Sequence, residues 1–154
     1  MSDTKPPHIT LDNFWPYQAV VLADQISRYT LSVVRAEADL NLSQWRVLAA
    51  IAEKPGRTAA NVTAITPMDK TIVSRAVSSL IEAGLVIKAV DSGDKRRSSL
   101  SATASGQSIY ANIAAKLNEA MISSLSGTIS PEDFTEMLKV FSRKMVDIAP
   151  YLKP

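Results

Sequence analysis

The hydrophobic period of this chain changes in one place. Apolar residues recur at three- and four-residue spacing through most of its 154 residues, as helices require. After Gly84 the pattern gives way to Leu85-Val86-Ile87-Lys88-Ala89-Val90, a run of strand composition. Asp91-Ser92-Gly93-Asp94 then offers turn chemistry, and residues 97–102 read as the return strand. One hairpin in an otherwise helical chain predicts a mainly α fold with a small β-hairpin (α+β).

The helices around it have readable ends. Residues 14–40 form a first long helix, with Val20, Val21, Ile26, Val33, Val34 and Leu40 in its stripe. Ser43 opens a second, whose apolar set is Trp45, Val47, Leu48 and Ile51. Lys54-Pro55-Gly56-Arg57 stops it, because proline and glycine do not continue a helix. Residues 58–65 form a short helix. Thr66-Pro67-Met68-Asp69 predicts a new start, with Thr66 as N-cap, Pro67 in first position and Asp69 on the dipole; that helix runs to Ala83. Thr103 caps a long helix with Ile109, Ile113, Leu117 and Met121 at four-residue spacing. After a break at 124–129, Ser130-Pro131 starts a last helix with Phe134, Met137, Leu138, Phe141, Met145 and Ile148 as its stripe.

The predicted architecture is a winged helix-turn-helix with flanking helices. Residues 1–13 are a loose arm, 14–41 a dimerisation helix, 42–102 the winged helix-turn-helix unit, and 103–154 further dimerisation helices. The flanking helices are amphipathic and must bury their stripes, and a second copy of the chain is the simplest partner. Covering the core of a monomer is the alternative.

On the helix at 69–83, Ile72, Val73, Ala76, Val77, Leu80 and Ala83 fall within about 140° of arc at ~100° per residue. Thr71, Ser74, Arg75, Ser78 and Glu82 occupy the other side. Hydroxyls reach phosphates and base edges, and arginine can bridge guanine O6 and N7. An ordinary solvated face is the alternative, although it would usually carry more Lys and Glu. The hairpin tip, Asp94-Lys95-Arg96-Arg97, sets three cations together. Lys95, Arg96 and Arg97 suit a neighbouring minor groove, with Asp94 pairing an arginine to hold the tip in shape. A solvated charge run is the bland reading of the same residues.

Net charge is only +2, but its distribution is uneven. Residues 54–101 carry eight Lys/Arg against four Asp/Glu, and the remainder nine against eleven. The basic excess therefore lies on the unit that would meet DNA.

Composition excludes several classes. Without cysteine there is no disulfide framework, thiolate zinc site, thiol redox sensor or Cys nucleophile. A single histidine, His8, leaves no Ser-His-Asp triad or multi-histidine metal site. No apolar run nears the ~20 residues of a membrane span, and residues 1–10 lack a signal-peptide core. A cytoplasmic protein without metal or cofactor is expected, and not an enzyme: Asp91 and Asp94 sit at an exposed turn with no apolar pocket to tune a paired-carboxylate hydrolase.

From Leu42 to Gly106 the residues resemble the MarR family of bacterial winged-helix transcription regulators. The stretches that carry this are Leu42-Ser43-Gln44-Trp45-Arg46-Val47-Leu48, then Met68-Asp69-Lys70-Thr71-Ile72-Val73-Ser74-Arg75-Ala76-Val77, and Leu80 with Gly84-Leu85-Val86. Asp94-Lys95-Arg96 is similar to the family's Asp-x-Arg wing signature, and Thr103 and Gly106 to its post-wing Leu-Thr-x-x-Gly. The outer helices match by pattern alone. Ala102 departs from the usual leucine, and Asp69 places an acid near the DNA-facing end of the helix, as a cap or as a source of repulsion toward phosphate.

The resemblance implies a homodimer formed by the first and last two helices, on an inverted-repeat operator in double-stranded DNA. It places Thr66, Lys70, Thr71, Ser74 and Arg75 at the major groove or its phosphates, and Arg96 at the minor groove. It also implies a repressor released by a small aromatic or anionic ligand held between the dimerisation helices and the winged-helix unit. Trp15, Tyr17, Trp45 and Arg46 are the candidate ligand residues, Arg46 toward a carboxylate. Core packing is the alternative for the tryptophans, and a surface ion pair for Arg46. A winged-helix protein-interaction module that binds no DNA is the competing function.

Overall fold

The computed structural model describes residues 8–90, 93 and 98–149. A short 3₁₀ turn at Leu11–Asn13 leads into α1 (Trp15–Ala38), then α2 (Leu42–Glu53), α3 (Ala59–Ile65) and α4 (Lys70–Glu82). The hairpin β1 (Val86–Val90) and β2 (Ser98–Ala102) follows, then α5 (Ala104–Leu125) and α6 (Pro131–Ile148). This is the mainly α winged helix-turn-helix that the pattern predicts. Among the described residues, no helix is long and apolar enough to cross a membrane.

Side-chain caps set most helix starts. Asn41 accepts from the Gln44 N–H at 2.9 Å, and the Gln44 side chain accepts from the Asn41 N–H at 2.8 Å. This reciprocal box starts α2 one residue before the Ser43 expected from the sequence. Thr58 and Asn61 do the same for α3. Thr103 and Ser130 cap α5 and α6 as expected.

The start of α4 differs from expectation. Thr66 is not its N-cap. Pro67 disfavours the helical conformation in the residue before it, and Thr66 is extended at φ −121°, ψ 152°. Its hydroxyl donates back to the Val62 carbonyl at 2.8 Å, closing α3. Asp69 is the cap instead, accepting from the Ile72 N–H at 2.8 Å.

The core belongs to the winged-helix unit. Trp45, Val47, Leu48, Ile51, Val62, Val73, Leu80, Val86 and Leu100 are buried, joined by Val34 of α1 and Ile113 of α5. Each such side chain contributes roughly 1.5–3 kcal/mol by leaving water. No polar or charged residue is buried among those described. Two residues expected on the core face of α4 are not there: Ile72 is 40% exposed and Ala83 is exposed. Both lie at the margin of the stripe, where the neighbouring helix and turn leave them open.

The hairpin is antiparallel, with Val86 opposite Ala102 and Val90 opposite Ser98. Its base is tied to α5. The Thr103 N–H donates to the Leu85 carbonyl at 3.0 Å, and the Thr103 hydroxyl donates to the Gly84 carbonyl at 2.8 Å. Gly106 is required at this joint, because a Cβ there would lie 2.1 Å from the Leu85 carbonyl oxygen.

Candidate nucleic-acid interface

α4 stands on the core through Val73, Ala76, Val77 and Leu80. That seating turns Lys70, Thr71, Ser74, Arg75 and Ser78 to solvent, and all five are exposed. No acid among the described residues forms an ion pair with Arg75 or Lys70. The face is thus a row of hydroxyl groups with an unneutralised cation near each end of its first two turns. Donors of this kind suit phosphate oxygens and guanine edges. Asp69 caps the same helix, so its carboxylate is engaged with the backbone N–H of Ile72. Thr66 is half-buried at the end of α3, and its hydroxyl is committed to Val62.

The helix is held from its flank as well as from below. The Gln44 side chain, already part of the α2 cap, donates to the Ser79 hydroxyl at 2.6 Å. This cross-link was not foreseen from the sequence, because the two residues are far apart in the chain and neither is unusual alone. It fixes the azimuth of α4, and so the direction in which Arg75 points. Asp94, Lys95, Arg96 and Arg97 lie outside the described residues.

The candidate ligand residues fall into different surroundings. Trp45 is buried, its ring stacked on Tyr110 of α5 with centroids 5.9 Å apart. Arg46 beside it is half-buried. Trp15 is 58% exposed and lies against Phe141 of α6 at 5.6 Å, and Tyr17 is exposed. Trp45 therefore packs in the winged-helix core, and Trp15 in the outer-helix layer. A separate cavity of about 390 Å³ lies between α1 and α5, lined by Tyr29, Val33, Lys116, Glu119, Ala120 and Ser123. Lys116 on its wall pairs with Glu37 of α1. The sequence carried no local sign of this cavity, because its walls come from two distant helices.

The apolar stripe of α6 is uncovered. No residue of that helix is buried, and Leu138 is 50% and Phe141 45% exposed. Val20 of α1 is 65% and Ile122 of α5 57% exposed.

Comparison with known proteins agrees with this layout. The model of the MarR family matches residues 38–97, from the end of α1 to the residue before β2. A MarR/EmrR family transcriptional regulator from Acinetobacter sp. ADP1 is similar over 94% of this chain and 100% of its own, with 20% identity and a TM-score of 0.76. CouR from Rhodococcus jostii RHA1, in a structure bound to p-coumaroyl-CoA, is similar over 90% of this chain and 95% of its own, at 18% identity and a TM-score of 0.77. Staphylococcus aureus MarR, in complex with salicylate and kanamycin, covers 90% and 92%, at 17% identity and 0.73. No curated protein matches the chain in sequence.

The fold is that of the winged-helix transcriptional regulators. Within it, the segment at 38–97 is similar to the MarR family, as the resemblance read from the sequence has it.

Proposed function

We propose that this protein is a dimeric, sequence-specific DNA-binding transcriptional regulator that acts on an inverted-repeat operator. The observation that carries the reading is the exposed, unneutralised Lys70-Thr71-Ser74-Arg75-Ser78 face of α4, set opposite the buried Val73, Ala76, Val77 and Leu80. Arg75 reads a base edge, Lys70 and the hydroxyls seat the helix on the groove, and Lys95, Arg96 and Arg97 follow the adjacent minor groove with Asp94 bracing them. Thr66 contributes by shaping the α3–α4 turn, its hydroxyl being held by the Val62 carbonyl.

Dimerisation is supported by the open stripes of α1, α5 and α6. A monomer would leave Phe141, Leu138 and Val20 in water, whereas a second copy offers the same apolar surface in return. A two-fold dimer then requires half-sites about 34–36 Å apart.

The regulator is a repressor released by an aromatic or anionic small molecule. The p-coumaroyl-CoA bound to CouR and the salicylate bound to S. aureus MarR support this choice of ligand class. Arg46 is the proposed cation for such a ligand, and Trp45, Trp15 and Tyr17 remain the proposed aromatic surfaces, although Trp45 and Trp15 pack in different layers. A ligand that prefers a dimer with misplaced recognition helices lowers DNA affinity by its differential affinity for the two states. Action on DNA places the protein in the cytoplasm of a bacterium, and the reading assigns it no catalysis.

The deciding experiment is selection of sheared genomic DNA by the purified protein at ~150 mM salt, where nonspecific binding is weak. Enrichment of a short inverted repeat is expected. If nothing is enriched, with or without metabolite extract, the winged helix is a protein-interaction module instead.

A further inference from the structure

Arg57 is one of the eight cations that make the winged-helix segment basic, yet the fold turns it inward. Its side chain is only 17% exposed. The guanidinium donates through Nη1 to the Ala50 carbonyl at 2.5 Å and to the Glu53 carboxylate at 2.6 Å. Ala50 lies in the last turn of α2, where backbone carbonyls have no partner within the helix. Lys54, the residue that ends α2, is extended at φ −140° and gives no left-handed cap. Arg57 therefore closes the helix end by reaching back to it from a turn made at Gly56, where φ is +88°.

The backbone of the same two residues holds the hairpin. The Gly56 N–H donates to the Leu100 carbonyl at 2.9 Å, and the Leu100 N–H donates to the Arg57 carbonyl at 2.8 Å. Leu100, at 2% exposure, is the buried centre of β2. Past Val86 both faces of β1 are open, with Ile87 and Val90 exposed, and the Arg57–Leu100 bridge pairs with the hairpin along its other edge, on β2.

We propose that Arg57 is the positioning residue of the wing: its side chain locks the bridging segment to the end of α2, and that segment sets the direction in which β1 and β2 leave the domain. The proposal rests on the DNA-binding reading, in which the hairpin carries its cations to the minor groove. Leverage makes the anchor matter. Five-residue strands project about 17 Å, so a ~10° swing at the root displaces the far end by about 3 Å, half the width of a ~6 Å minor groove.

The test uses the full-length protein, with Arg57→Ala, Arg57→Lys and Glu53→Ala variants. Amide hydrogen exchange at Leu100 should rise on the order of tenfold or more in Arg57→Ala, with α4 amides unchanged. The preference for A·T over G·C under the wing, measured on two operators that differ only there, should fall about fivefold or more. Arg57→Lys should recover part of both, because an ammonium still reaches the Ala50 carbonyl. Glu53→Ala is the discriminating variant. It loosens Arg57 without removing a cation, and it should also lower the flank preference. A higher flank preference in Glu53→Ala would identify Arg57 as a groove contact and overturn the proposal. Unchanged exchange at Leu100 in Arg57→Ala overturns it whatever the protein does on DNA. Wild-type protein indifferent to the flanks, with exchange responding as expected, overturns the minor-groove reading and with it the functional half of the proposal.

Discussion

Arg75 and Arg57 carry the same charge and differ in what surrounds them. Arg57 is satisfied by a carboxylate and a helix-end carbonyl, whereas no acid among the described residues pairs with Arg75. A free guanidinium on the open side of α4 keeps its planar donor fork for a partner outside the chain. Arg75→Ala should therefore cost ~1–3 kcal/mol of operator binding and relax discrimination at one base pair per half-site. Titration against single-base operator variants checks this; an equal loss on every sequence would make Arg75 a phosphate contact. Asp69 separates two effects in one side chain. Asp69→Ala should lose about 1 kcal/mol of stability with the cap, read by chemical denaturation. Asp69→Asn keeps an acceptor for the Ile72 N–H and removes the charge, so stability should hold while DNA affinity rises, most clearly at low salt. Gly106→Ala forces a methyl group against the Leu85 carbonyl and should destabilise by about 1–3 kcal/mol in the same assay. The face of Thr71, Ser74, Arg75 and Ser78 was legible from spacing alone, because helical period fixes which residues share a side. The pairing state of Arg57 was not, because its partners are set by a turn whose conformation spacing does not encode.

At the scale of elements, each helix start rests on a particular competition. Proline at position 67 read as the beginning of α4, and at 131 as the beginning of α6. Only the second reading held. Ser130 accepts from the Asp133 N–H at 3.0 Å and needs nothing else, whereas Thr66 is drawn back to Val62 and Asp69 is the better cap three residues later. The capping box at Asn41 was missed for a similar reason: Ser43 is an acceptable cap, but Asn41 has Gln44 in the position that returns the hydrogen bond. Existence and order of the elements were legible because amphipathic period and turn residues agree along this chain, while ends depend on which of several polar side chains reaches a given N–H. The α6 stripe was equally legible, and what covers it is a property of the assembly. Phe141→Glu places a charge in the centre of that stripe. Sedimentation should show a shift from dimer to monomer, with the helical signal of the winged-helix core retained. A variant that stays dimeric would move the interface elsewhere.

For the molecule as a whole, burial and exposure are sharply divided. The winged-helix unit owns the core, with Val34 and Ile113 as the attachment points of the outer helices, and α6 owns none of it. In the proposed dimer, the winged-helix unit is thereby mounted on helices that bury their open stripes against the second copy. Displacement within the dimer can shift the spacing of two such units without disturbing the core of either, which is the geometry that ligand control of operator binding needs. The winged-helix unit and its alternation of buried and polar faces follow from sequence period. The clustering of Trp45 with Tyr110, and of Trp15 with Phe141, required the tertiary arrangement, because nothing local distinguishes an aromatic in one layer from an aromatic in the other. The joint at Thr103 has a consequence for how such proteins diverge. Gly84 and Leu85 are bonded to Thr103, and Val86 and Leu100 are buried just past it, so the roots of both strands belong to the domain. Length can change in the connection that joins Val90 to Ser98, where doubling the number of residues costs only about 0.6 kcal/mol in closure entropy. Descendants of this sequence are free to lengthen or recharge that connection while keeping the strand roots intact, so in the proposed complex flank preference would evolve independently of the readout by α4.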